Sequence, residues 1–286
     1  MRTNRPRLTL STPVIYLVLL CYAVVTVFPM CWLLYTSVKP SQEIFLNPLR
    51  LPSLDNLAWE NISKAWTKGH VSDYFGNSVL VTAITLVFIL WWSAMAAYAL
   101  ARFVFPLSRP LLFYFLAGLM VPLQLAIIPL FFELKALHML NSRSGLIIVY
   151  VAMNMPFAIF VLTGFFKTLP SSLHESALLD GCSEFRAFWH IMLPLAKPGL
   201  ITVAIFSFLS IWNEYFLAFM FLSGAGSENL RTLPLGLANI MIVSQYRTDW
   251  GMSFAGLLII TVPTLVIYIL LQRHLTKGVT LGAVKG

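Results

Sequence analysis

Charge is what this 286-residue sequence has least of: Asp, Glu, Lys and Arg make up 10% of it, against 59% hydrophobic residues. A water-facing domain carries about 25% charged residues. With a mean hydropathy of +0.82, the chain is therefore excluded from the ordinary soluble class, and lipid is its main solvent. Cysteine is scarce too. Cys21 and Cys31 share one apolar run and Cys182 lies in a polar stretch, which excludes a disulfide framework. No two histidines stand four apart; His174-Glu175 begins like a zinc-protease helix, but Leu178 holds the second ligand position, so no metal site is expected. No Gly-Lys pair exists for a phosphate-binding loop, although Leu222-Ser223-Gly224-Ala225-Gly226 looks like a fragment of an ATPase signature. The chain is thus expected to bind no nucleotide itself. The net charge of +8 comes without a dense basic patch interleaved with aromatics, which argues against nucleic acid.

What the sequence has is long charge-free runs. Crossing a bilayer takes about 20 apolar residues, and six segments qualify as spans: 14–38, 76–101, 110–132, 144–167, 198–222 and 252–273. The reading is an all-α membrane protein of six transmembrane helices forming one membrane domain over 1–286. Residues 8–38 carry no charge, a run much longer than the roughly 7–15 residues of a signal-peptide core, so it reads as an uncleaved first span. The tails 1–13 and 274–286 fall on the same side. Arg2, Arg5 and Arg7, together with the short loop between Arg102 and Arg109, place that side in the cytoplasm. Prolines inside the spans (Pro29, Pro122, Pro129, Pro156 and Pro263) predict kinks, and Pro122 and Pro129 flanking Gln124 would loosen the third span beside a pathway.

Between the fourth and fifth spans lies a polar segment, 170–194. Ser172 followed by Glu175 forms a capping box. The short helix it starts should end near Asp180, with Gly181 in the left-handed position. Ser183 would cap a second short helix presenting Phe185, Phe188 and Trp189 on one side, interrupted by Pro194. Ser176 and Ala177 are small residues near the tip, where a partner's backbone can come close.

This segment resembles the signature loop of ABC importer permeases, Glu-Ala-Ala, then Asp-Gly, then Leu-Pro. Here it reads Glu175-Ser176-Ala177, Asp180-Gly181 and Leu193-Pro194, with Ser176 and Cys182 as departures. The resemblance extends along the chain to the carbohydrate branch through Asn77-Ser78, the run from Ala97 to Phe103 (AYALARF), Trp212-Asn213-Glu214, Thr232-Leu233-Pro234 and the ending from Gly282 to Gly286. The maltose-type permease subunit is the form it most resembles. That resemblance implies a permease subunit of an ATP-driven importer for sugar, an oligosaccharide by type, in a prokaryotic inner or plasma membrane. It implies as partners a second permease in a heterodimeric pore, two ATPase subunits carrying ATP and Mg, and an external sugar-binding protein. It assigns ATPase coupling to Glu175, Ser176, Ala177, Asp180, Gly181 and Phe185. It also takes the tail at Ala283, Val284 and Lys285 to the interface between the ATPases, and turns the outer loop 223–252 toward the binding protein.

Glu214 is the one acidic group inside a span, a position that usually faces a bundle interior or wet cavity. Two readings stand: with Trp212, Asn213 and Gln124 it lines the translocation path, or it makes a structural hydrogen bond to a neighbouring helix. A rival class, the ion-gradient-driven secondary transporter, calls for paired intramembrane ionisable groups and inverted repeats, and neither is visible.

Overall fold

The computed structural model describes residues 11–247 and 249–283, with side chains described over 13–242 and 249–270. It is all-α, and among the described residues there is no strand. The chain forms two compact units, one of residues 1–70 and 239–259, the other of 71–238 and 260–286.

The first unit opens with α1 (Ser11–Thr36), followed by α2 (Ser41–Leu46), a 3₁₀ turn (Leu54–Asn56) and α3 (Glu60–Thr67). A helix that is apolar all round must find a core or a bilayer. The rest of the chain buries none of the most apolar window of α1, and Val14, Leu17 and Val25 are all more than half exposed. The chain after it is folded and not a loose linker. Asn61, 3% exposed, donates to the carbonyls of Ser37 (3.1 Å) and Lys39 (2.9 Å). The buried Lys39 ammonium in turn donates to the carbonyls of Asn47 (2.5 Å) and Arg50 (2.7 Å). Residues 239–259 add Phe254 edge-on to Trp32 and Trp250 edge-on to Phe45, both with ring centroids 5.3 Å apart.

The second unit is built on α4 (Val71–Arg102) and α7 (Arg143–Thr168); between them come α5 (Ser108–Met120) and α6 (Leu123–Ala136). Small residues let long apolar helices approach closely, and Ala94, Ala97 and Ala158 are all buried. After α7 come α8 (Ser171–Leu179), α9 (Glu184–Ala187), a π turn (Phe188–Met192), α10 (Leu193–Leu195), α11 (Lys197–Trp212) and α12 (Phe216–Phe221). The last helices are α13 (Leu233–Arg247) and α14 (Trp250–Ala283).

Among the described residues four helices are long and apolar enough to cross a membrane: Pro13–Thr36, Val71–Arg102, Arg143–Thr168 and Trp250–Leu270. Two bent pairs pass the same test together. The expected third span, 110–132, is not one helix: α5 and α6 meet at 102°. Pro122 cannot donate to the helix ladder and disfavours the helical region for its predecessor, and Val121 is accordingly extended (φ −76°, ψ 118°). The expected fifth span is broken too. Residues Glu184–Leu195 meet Lys197–Trp212 at 72°, and the helix stops at Trp212 before resuming at Phe216.

Candidate functional site

The segment 170–194 forms two short helices joined by a tight turn. Gly181 has φ +81°, a conformation that costs a residue with a side chain roughly 1–2 kcal/mol. The amide of Cys182 donates to Ala177 O and that of Gly181 to Leu178 O, both at 3.0 Å. These paired bonds satisfy the carbonyls that end α8. Ser183 then caps α9, its Oγ accepting from the Arg186 amide at 3.4 Å.

The sequence reading needs three corrections here. There is no capping box at Ser172: Pro170 holds the N-cap position with no side-chain cap, so Ser172 falls inside the first turn. The ring of Pro170 sets its own φ and makes Ser171 the first helical residue. Ala177 is 4% exposed, packed inside the turn and not offered to a partner. Phe185, Phe188 and Trp189 do not share one side, because Phe185 is 63% exposed and Phe188 only 5%. The outward apolar residue missed in the sequence is Leu179, 88% exposed; its place just before the Asp180-Gly181 turn was the available signal. Glu175, Ser176, Asp180 and Gly181 are exposed.

Beneath these helices sits the last turn of α4. Tyr98 Oη lies 3.0 Å from His174 Nδ1 of α8 and donates to Glu184 Oε2 of α9 at 3.3 Å. His174 Nε2 is 3.6 Å from the same carboxylate oxygen. The Tyr98 ring packs 5.0 Å from that of Phe188 and 5.7 Å from that of Phe166. One turn on, Arg102 Nη2 donates to Leu169 O at 2.7 Å, taking up the carbonyl at the end of α7.

At the other end of α4, Asn77 Nδ2 donates to the carbonyls of Asn229 (2.8 Å) and Arg231 (2.9 Å), and Ser78 Oγ accepts from the Leu233 amide (2.8 Å). A Cβ on Gly236 would lie 2.0 Å from the Tyr74 ring. Two motifs far apart in sequence, Asn77-Ser78 and Thr232-Leu233-Pro234, are thus in direct contact.

Glu214 sits in the break between α11 and α12. Its Oε2 accepts from Tyr150 Oη (2.6 Å) and the Ala218 amide (3.1 Å), and its Oε1 from the Leu217 amide (2.7 Å). Trp212, 3% exposed, donates to Ile260 O at 3.2 Å, so it packs within the unit. Asn213 donates to Leu209 O (2.9 Å), and Gln124 is exposed on α6. The four expected path residues are therefore in different settings: one buried, one held by three hydrogen bonds and two exposed. Among the described residues no group of three or more His, Cys, Asp or Glu side chains is gathered for a metal. Of the expected tail residues, Ala283 ends α14, while Val284 and Lys285 lie outside the described residues.

Residues 89–281 match the model of the family described as binding-protein-dependent transport system inner membrane component. The diacetylchitobiose uptake system permease protein NgcG of Streptomyces coelicolor is 40% identical over 92% of this chain and 86% of that protein. The probable starch degradation products transport system permease protein AmyC of Thermoanaerobacterium thermosulfurigenes is 37% identical over 90% of this chain and 91% of its own. At the level of fold, a chain in the crystal structure of a bacterial ABC transporter involved in the import of the acidic polysaccharide alginate superposes with a TM-score of 0.78. It covers 94% of this chain and 99% of its own at 20% identity. Composition, helical architecture and these matches agree, and the chain belongs to the binding-protein-dependent transport system inner membrane components, the permease subunits of ABC importers.

Proposed function

We propose that this permease forms half of a heterodimeric pore for a sugar of the oligosaccharide class in a prokaryotic inner or plasma membrane. Its six spans hold both termini in the cytoplasm; the bent pair α5–α6 supplies the third, and residues 198–222, broken between α11 and α12, supply the fifth. The segment 170–194 docks on a separate ATPase subunit, where ATP and Mg are bound. An external sugar-binding protein delivers the substrate to the opposite face.

The observation that carries this reading is the turn at Gly181. The paired bonds from Cys182 and Gly181 into α8 close that helix in a tight turn just before α9, and the outward residues Leu179 and Phe185 are largely exposed on either side of that turn. Exposed apolar side chains on a rigid, otherwise polar element are what a protein partner covers. The tail ending Ala283-Val284-Lys285 is assigned to the ATPase interface, and Trp212, Asn213, Glu214 and Gln124 to the neighbourhood of the path. Import by an ion gradient is disfavoured, because Glu214 has its carboxylate occupied by three donors of its own chain.

Detergent extraction of the tagged chain from its native host should bring down an ATPase and a second permease. In vesicles, uptake of diacetylchitobiose or maltodextrin should require ATP inside and survive a protonophore. Uptake abolished by the protonophore and indifferent to ATP would overturn the proposal.

A further inference from the structure

Of the four long apolar helices, α1, α7 and α14 carry an internal proline (Pro29, Pro156 and Pro263), and α4 has none. Prolines are where helices kink, so α4 is the long helix best able to move as one piece. Both its ends are fastened to chain segments distant in sequence. From Asn77 to Tyr98 the axial rise is about 32 Å at 1.5 Å per residue, close to the roughly 30 Å of a bilayer's hydrocarbon core. The two fastenings thus sit one membrane thickness apart on a single helix.

The fastenings are specific. Tyr98 and Arg102, four residues apart, share a face and grip three parts of the 169–188 chain: its root at Leu169 O, its first helix at His174, and its second at Glu184 and Phe188. A phenol can accept and donate at once, so with the His174 proton on Nδ1 a single oxygen ties α8 to α9. At the opposite end Asn77 and Ser78 hold two carbonyls and one amide of 229–233, and Tyr74 fills the space left by Gly236.

We infer that α4 is a transmission rod: Tyr98 and Arg102 carry movement of the coupling segment into it, and Asn77 and Ser78 deliver that movement to segment 229–236 on the opposite side. This rests on the proposed docking of 170–194 to an ATPase. It assigns a mechanical role to two motifs, the Ala97–Phe103 run and Asn77-Ser78, as positioning elements that need not touch substrate.

The test uses the intact complex copurified from its host, with MgATP and orthovanadate as the probe, so no sugar has to be known. Trapping nucleotide on the ATPases should change amide exchange across 229–236 on the order of tenfold, within the usual range for coupled sites. In Tyr98→Phe, vanadate trapping should stay at the wild-type level while the change at 229–236 is lost. His174→Leu removes the α8 side of that link and serves if Tyr98→Phe does not assemble. The double variant should lose no more than Tyr98→Phe, whose hydroxyl makes both bonds of the link. Asn77→Ala should lose the response at 229–236 yet keep the exchange changes at 170–190. A full response at 229–236 in Tyr98→Phe, or none in the wild type, overturns the rod. The docking reading fails separately: Leu179→Ala with Phe185→Ala should abolish vanadate trapping, and normal trapping there would remove the docking site whatever α4 does.

Discussion

The Tyr150 hydroxyl donates to Glu214 Oε2 at 2.6 Å, joining the middle of α7 to the break between α11 and α12. The same carboxylate receives the first free amides of α12, from Leu217 and Ala218. Of the two sequence readings, this geometry favours the structural one. Replacing Glu214 by Leu leaves the buried phenol and two amides without an acceptor, and an orphaned polar group costs about 1–3 kcal/mol. The melting temperature of the purified chain should fall clearly, with loss of assembled complex. Glu214→Gln keeps an acceptor oxygen and should keep uptake. If uptake failed in Glu214→Gln at an unchanged melting temperature, Glu214 would belong to the path.

Gly181 tests the proposed docking segment 170–194. Proline is confined to φ near −65° and lacks the amide that Gly181 donates to Leu178 O, whereas the site requires +81°. Gly181→Pro should therefore insert and accumulate normally but lose its ATPase on purification. Gly181→Ala, costing roughly 1–2 kcal/mol in a turn with nothing within 4 Å of the new Cβ, should retain part of the hydrolysis and uptake. Normal uptake in Gly181→Pro would argue against 170–194 as the docking element.

The long runs 71–102 and 143–168 were legible because apolar length alone specifies a membrane helix. The turn at Gly181 was legible because Asp-Gly after a short helix is local chemistry. The start of α8 was misread by two positions, since both Pro170 and Ser172 can begin a helix and the proline prevailed. Tyr98 and His174 are 76 residues apart, and Asn77 and Arg231 are 154 apart. No local pattern announces such pairs, because they form only when α4 packs on its neighbours. The 102° bend at Pro122 lies between these cases: the proline marks the break, but the direction taken afterwards depends on packing.

Gly236 and Tyr74 offer a test of the contact between the start of α4 and α13 that leaves every hydrogen bond in place. A methyl group at 236 would lie 2.0 Å from Tyr74 Cδ2, and overpacking of this kind costs about 1–3 kcal/mol. Gly236→Ala should lower the melting temperature and loosen 229–236 in hydrogen exchange. Removing the ring with Tyr74→Ala in the same chain should restore much of that loss. Purely additive losses would mean the two residues do not share this space.

Lys39 tests the folded segment after α1. The residue is 1% exposed, and its ammonium donates to Asn47 O and Arg50 O. Burial pushes its pKa below the ordinary 10.5; Glu43 partly offsets this and Arg50 adds to it. Between that lowered value and 10.5 the unfolded chain holds more protons than the folded one, so stability rises with pH across the interval. Lys39→Met lacks this titration and leaves two carbonyls without their donor. It should melt below the wild type at neutral pH, and the wild type's lead should widen as the pH approaches 10.5. Melting curves of both proteins in the same detergent across that range decide it: a lead that shrinks on alkalinisation would place the Lys39 pKa above the ordinary value, leaving an ammonium that the fold stabilises through its two carbonyls rather than one that burial strains.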